Sequence, residues 1–339
     1  MTRARREQIN LHSTPYYHCV TRCVRRAFLC GKDRVSGRSF DHRKSWIVNK
    51  LKFLTSVFAV DLCAYAVMSN HYHVVVRVDG AGALCWSDKE VAVRWMRMFC
   101  GHPIVDRYLA EEVLSAAEQC QLQEVLGQWR ARLYDLSWFM RCVNEPIARL
   151  ANQEDNCRGR FWEGRFKCQA LLDDTALVAC MTYVDLNPVR AGIAATLEQC
   201  DYASVQDRLR ACGMRSRGRR GMKIRSTACP GLLGFQGDGD GAQEKELPFE
   251  GLAYLELVEW TGRAIRQDKA GHIPDHIAPL LERLQIDKRE WVSTIRRFGC
   301  RFHRVIGAIE RMYLYSERVD RRWLKGLPAS RLLYERAVN

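Results

Sequence analysis

The sequence predicts an α+β fold, an antiparallel sheet carrying helices on one face, with a helical insertion and a helical C-terminal extension. Three patterns predict it. The segment from Ala64, AYAVMSNHYHVVVRV, reads as two strands around the turn-like Ser69-Asn70. Residues 39–58, SFDHRKSWIVNKLKFLTSVF, place Trp46, Ile47, Leu51, Leu54 and Phe58 at helical spacing. Across the first two hundred or so residues the order is strand–helix–strand–strand–helix–strand, which is the order of a ferredoxin-like sheet.

Each element has a local reason. YYHCVTRC at 16–23 alternates as a strand, with Arg25 and Arg26 just after it. After the hairpin, DGAGA opens a stretch with helical patterns at Val91 to Met98 and Glu118 to Leu133, read as an insertion at about 80–135. LSWFMRCVNEPIARLANQ is helical despite Pro146, with Ser137 the expected N-cap. The later half of FWEGRFKCQALL reads as a strand. Asp173 or Asp174 then caps TALVACMTYVDLN, which Pro188 stops. Residues 1–206 are expected to form one unit, 207–247 a basic, Gly-rich linker, and 248–339 a helical module with a basic face.

Composition narrows the class. The chain has 339 residues, 47% hydrophobic and 27% charged, which describes an ordinary folded protein. No stretch reaches the roughly 18 uninterrupted apolar residues of a membrane span. The basic N-terminus lacks the apolar region of a secretory signal, so a cytoplasmic location and no membrane partner are expected. The 15 cysteines contain no C-x-x-C pair, which argues for reduced thiols and against a zinc module. A net charge of +14 favours a polyanionic partner, nucleic acid above all. The basic residues cluster around Arg22 to Arg26, Arg158 to Lys167 and Arg208 to Arg225.

The histidines carry the chemistry. In a strand His71 and His73 share one face and Tyr72 points away. On the helix Tyr183 and Asn187 are four apart, hence on one face, and Asp185 is on another. Alone, each has a plain structural explanation: a strand pair, a core tyrosine, a helix-end asparagine. Together, two imidazoles and a carboxamide oxygen form a three-ligand site with open positions for phosphate oxygens. A phenol is a weak nucleophile that needs such a partner to attack phosphorus.

MSNHYHVVV, GRFWEGRFK and YVDLNPVRAG, in that order, resemble the REP-associated tyrosine transposases of the wider HUH family of single-strand DNA endonucleases and transposases. The resemblance spans about residues 15–205, interrupted between Gly80 and Leu133. It implies His71, His73 and Asn187 as ligands of Mg2+ or Mn2+, and Tyr183 as the nucleophile of a covalent 5′-phosphotyrosine intermediate. It also implies a bacterial, nucleoid-associated protein acting on single-stranded or hairpin DNA of repetitive palindromes, as a monomer or a homodimer. Tyr72 stands where the family carries a bulky aliphatic, and its hydroxyl then needs a buried partner.

Arg158, Arg160, Arg165 and Lys167 interleave with Phe161, Trp162 and Phe166, a mixture suited to single-stranded DNA. The alternative is a tight turn anchored by Trp162 in the core, with solvated arginines around it. The resemblance implies that Arg22, Arg25 and Arg26 grip the backbone of a hairpin foot, Arg190 is expected on the same strand, and Arg208 to Arg225 are expected to supply sequence-independent attraction. Tyr16, Tyr17 and Tyr65 read as core or DNA-facing residues. Two rivals stay open: a hairpin-binding protein that no longer cuts, and an RNA-binding module, against which stands the lack of an RNP-like aromatic motif in the strands.

Overall fold

The structure, a computed structural model, describes residues 8–24, 29–31, 37–213, 229–237, 245–266, 278–284, 286, 288–320 and 324–334. Arg25, Arg26 and most of the expected linker, 214–228 and 238–244, lie outside them. A sheet in the order β2-β3-β1-β4-β5 organises the chain, with β1 at Tyr16–Arg22, β2 at Val60–Val67, β3 at His71–Val78, β4 at Lys167–Leu171 and β5 at Val305–Ile306. The first four strands pair antiparallel, and β5 joins β4 in parallel.

Two helices cross over on one face, α1 at His42–Thr55 and, after the insertion, α6 at Leu136–Glu154. Their apolar stripes, Ile47, Leu51 and Leu54 with Phe139, Val143 and Ile147, meet Tyr17, Cys19, Tyr72, Val74 and Val76 of the strands in one core. The insertion is helical: α2 at Gly80–Cys85, α3 at Asp88–Met96, α4 at Pro103–Leu109 and α5 at Ala116–Leu133. Ser115 and Glu118 start α5 with a capping box. The start of α6 differs from expectation: Asp135, not Ser137, is its N-cap, and the Asp135 carboxylate accepts from the backbone N–H of Ser137 and Trp138.

The opposite face belongs to α7, Asp174–Asp185, whose N-cap Asp173 accepts from the Ala176 N–H at 2.9 Å. A short turn of helix, α8 at Asn187–Arg190, takes Pro188 in its first turn. Residues Thr175 to Asp185 are all buried, because the sheet covers one side of α7 and later helices cover the other. Those are α9 at Ser204–Ala211, α10 at Gly251–Arg266, α11 at Ala278–Arg283, α12 at Lys288–Arg301 and α14 at Leu327–Leu333, whereas α13 at Ile309–Arg318 turns Met312 and Tyr315 into the core shared with α1 and α6. The Asp173 carboxylate also accepts from the Ala308 N–H at 2.8 Å and from the Tyr334 hydroxyl, tying the start of α7 to the C-terminal segment.

Arg208 departs from its expected role. It is fully buried on α9, donates to the carbonyls of Cys63 (2.9 Å) and Leu233 (3.1 Å), and lies 4.0 Å over the Phe235 ring. A guanidinium so enclosed offers nothing to DNA. The 15 cysteines are all free thiols. No helix among the described residues is long and apolar enough to cross a membrane.

Candidate functional site

Alternation along three strands builds the site. On the α7 side, β1 presents His18, Val20 and Arg22, β3 presents His71 and His73, and β4 presents Lys167 and Gln169. Register sets their neighbours: Val20 lies opposite both His73 and Lys167, Arg22 opposite His71, and His18 opposite Gln169. The His71 and His73 rings stand 4.9 Å apart at 72°. Tyr72 points into the other core, fully buried, and its hydroxyl donates to Asn144 Oδ1 at 2.7 Å, the partner it needs.

These side chains open onto a cavity of about 820 Å3. Its walls are Gln8, His18, Val20, Arg22, His71 and His73, the segment Glu163 to Gln169, Tyr183, and Phe298, Gly299, Phe302, His303 and Arg304. Tyr183 reaches it from α7, its ring edge-on to His73 at 5.6 Å and to His18 at 6.2 Å. One face of the phenol stacks on Phe298 at 4.7 Å, and the Arg190 guanidinium lies 4.6 Å from the ring centre. A Cβ at Gly299 would stand 3.0 Å from the Tyr183 hydroxyl, so glycine leaves the room that oxygen uses. Tyr183 is therefore held from two sides, with its polar end toward the cavity.

The imidazoles are electrically neutral. Burial pulls His18 down to about 4, against the help of Gln169. Burial, then the charges of Arg22 and Lys167, pulls His71 to about 4. His73 is held well below the ordinary imidazole value by burial, then by His18, His71, Arg190 and Arg22. Neutral imidazole is the form that binds metal. His71 Nδ1 lies 2.6 Å from Asn70 Oδ1, an acceptor, so Nδ1 carries the proton and Nε2 the lone pair. His73 Nε2 is buried without a hydrogen-bond partner.

Asn187, the third ligand that the resemblance implies, begins α8. It is buried one turn beyond Tyr183, does not line the cavity, and accepts from Arg190 Nη1 at a long 3.5 Å through Oδ1. Its Nδ2 has no hydrogen-bond partner. Among the described residues no group of three or more His, Cys, Asp or Glu side chains is placed to hold a metal ion. The two imidazoles fit one, on the strength of the unpartnered His73 nitrogen.

The cations divide. Arg22, Arg165 and Lys167 are exposed and line the cavity, and Arg158 and Arg160 are exposed on the turn leading to it. Arg190 instead backs Tyr183 and donates to the Arg296 carbonyl at 3.0 Å. Trp162 is buried, its Nε1–H donated to the Asn144 carbonyl at 2.8 Å, and Phe161 and Phe166 are buried with it. So the turn is anchored in the core by Phe161 and Trp162, and Phe166 is the ring of the three that lines the cavity. The Glu163 N–H to Arg22 carbonyl bond, 2.8 Å, fixes that turn to the end of β1.

Sequence reasoning missed His18 and Gln169, and also Phe298, Gly299, Phe302, His303 and Arg304. His18 shared the parity of Arg22 in YYHCVTR, which was its one signal.

No family model matches the chain, and no curated protein does. A solved structure described as a REP-associated tyrosine transposase bound to a REP hairpin is similar over 72% of this chain and 100% of that one, at 11% identity and a TM-score of 0.38. A likeness that weak decides neither activity nor partner.

Proposed function

We propose that the chain is a metal-dependent single-stranded DNA endonuclease and strand transferase that acts on hairpin-forming repetitive DNA, with Tyr183 as nucleophile. The observation that carries the reading is convergence: a phenol, two neutral imidazoles and exposed cations meet in one cavity. His71 and His73 would hold a divalent ion, Mg2+ or Mn2+, through Nε2. Such an ion supplies Lewis-acid polarisation of a phosphodiester. Arg22, Arg165 and Lys167 would bind the phosphates on either side, with Arg158 and Arg160 on the approach. The Tyr183 oxygen forms a bond to phosphorus, the bond to the 3′ oxygen breaks, and the phenol proton ends on that 3′-hydroxyl. The phosphotyrosine keeps the ester, so a second 3′ end can rejoin without a nucleotide cofactor.

A second reading is favoured by the clamp on Tyr183 and the placement of Asn187: a protein that binds DNA hairpins without cutting them. One assay separates the two. Labelled single-stranded hairpin DNA is incubated with Mg2+ or Mn2+ and run on a denaturing protein gel. The enzyme reading expects a metal-dependent covalent band that vanishes in Tyr183→Phe. Tight binding by both proteins with no adduct, over several hairpins and both metals, would leave the binding protein standing.

A further inference from the structure

We infer that His18 and Gln169 are positioning residues that hold His73 in the tautomer whose Nε2 lone pair faces outward, ready to bind the metal. The inference rests on the reading of His71 and His73 as ligands. It concerns a pair of residues to which that reading assigns no role.

The geometry is a chain of three buried groups across three strands. His18 Nδ1 lies 3.0 Å from Gln169 Oε1, and His18 Nε2 lies 2.9 Å from His73 Nδ1. The two imidazoles are nearly parallel, 11° between planes, with centres 5.2 Å apart. Register makes the chain possible: His18 is directly opposite Gln169 on β4, and diagonal to His73, which lies two residues from its β3 partner Val75.

Donor and acceptor rules then settle each proton. A carboxamide oxygen only accepts, so His18 Nδ1 must be the donor. Neutral imidazole has one N–H, so His18 Nε2 is left as an acceptor. His73 Nδ1 must then donate to it, which strips the proton from His73 Nε2. That nitrogen is buried without a hydrogen-bond partner, on a histidine that lines the cavity. A network built only to satisfy a core would pair its last atom, because an orphaned buried polar group is costly. Here both ends of the logic agree: the proton is moved away from the unpartnered nitrogen of a histidine that lines the cavity, which leaves that lone pair free for a metal ion. Hydrogen bonding behind a ligating histidine commonly sets tautomer and ring orientation in this way.

The test uses the full chain, with nitrogen-15 shifts of the histidine rings in the metal-free protein and Mn2+ titrations. Wild type should show His73 protonated on Nδ1. His18→Phe, which keeps a ring but no acceptor, should move the proton to Nε2 and weaken Mn2+ binding by roughly 10- to 100-fold. His18→Gln, whose oxygen can still accept, should recover most of that affinity, and Gln169→Leu should lose less than His18→Phe. A His73 proton on Nε2 in wild type overturns the inference. So does unchanged Mn2+ affinity in His18→Phe and Gln169→Leu while His71→Ala and His73→Ala abolish binding; the metal reading would then survive alone. If His71→Ala and His73→Ala also leave affinity unchanged, the metal reading fails and takes the inference with it.

Discussion

The two faces of β1 and β3 are made from alternate residues of the same strands, yet they do opposite work. Beneath α1 and α6 the strands turn Tyr17, Cys19, Tyr72, Val74 and Val76 into hydrocarbon. Beneath α7 they turn His18, Arg22, His71 and His73 toward a cavity. One residue of slip would exchange the two sets, so register is as much a functional requirement as a structural one. The difference teaches where each kind of loss should appear. Damage to the first face should be read in stability, and damage to the second in chemistry.

The largest stability effect is expected on the hydrocarbon face. Phe139 is fully buried on α6 and packs edge-on against Phe58 at 5.7 Å. Phe139→Ala should cost about 3–5 kcal/mol in denaturant unfolding. Mn2+ affinity of the folded protein should not change; a loss of affinity without a loss of stability would break the division between faces.

The site face has a smaller stability signature, and it depends on pH. In the metal-free protein His18 and His71 are pulled down to about 4, from an ordinary value near 6.5. Below 6.5 the unfolded chain takes up protons that the folded chain refuses. Stability from these groups is thus full above about 6.5 and is lost as pH falls toward 4. The shift of His18 corresponds to at most about 3 kcal/mol. Urea midpoints between pH 7 and 4.5 should fall in wild type and fall less in His18→Gln. Equal slopes would mean that the imidazoles are not held neutral by burial.

How far the sequence exposed this division follows from the range of the interactions. Strand parity is local, and it put Tyr72 opposite the histidines before any fold was known. The start of α7 at Asp173 is equally local, since its carboxylate caps a backbone N–H three residues on. His18 was not legible as a site residue, because its partners His73 and Gln169 become neighbours only through the pairing of three strands. Phe298 and Gly299 reach Tyr183 from a helix far along the chain, a contact that no periodicity reports. Trp162 and Arg208 show a different limit. An amphipathic ring or a guanidinium among charged neighbours reads as surface, and both were taken inward by carbonyl acceptors that only the folded chain supplies.

The smallest effect sharpens the comparison most, because it falls on a residue flanked by both histidines. Tyr72→Phe removes a hydroxyl from the hydrocarbon face and leaves Asn144 Oδ1 without that donor. The ring still fills its space, so the expected cost is about 1–2 kcal/mol, set by one buried acceptor left unpaired. Tyr72 is also a phenol next to both proposed ligands in sequence, and so a rival nucleophile by proximity alone. Its hydroxyl points away from the cavity, which predicts that Tyr72→Phe forms the covalent DNA adduct at the wild-type level, where Tyr183→Phe forms none. An adduct lost in Tyr72→Phe, with folding intact by near-ultraviolet circular dichroism, would show that the two faces of β3 are not separate in function.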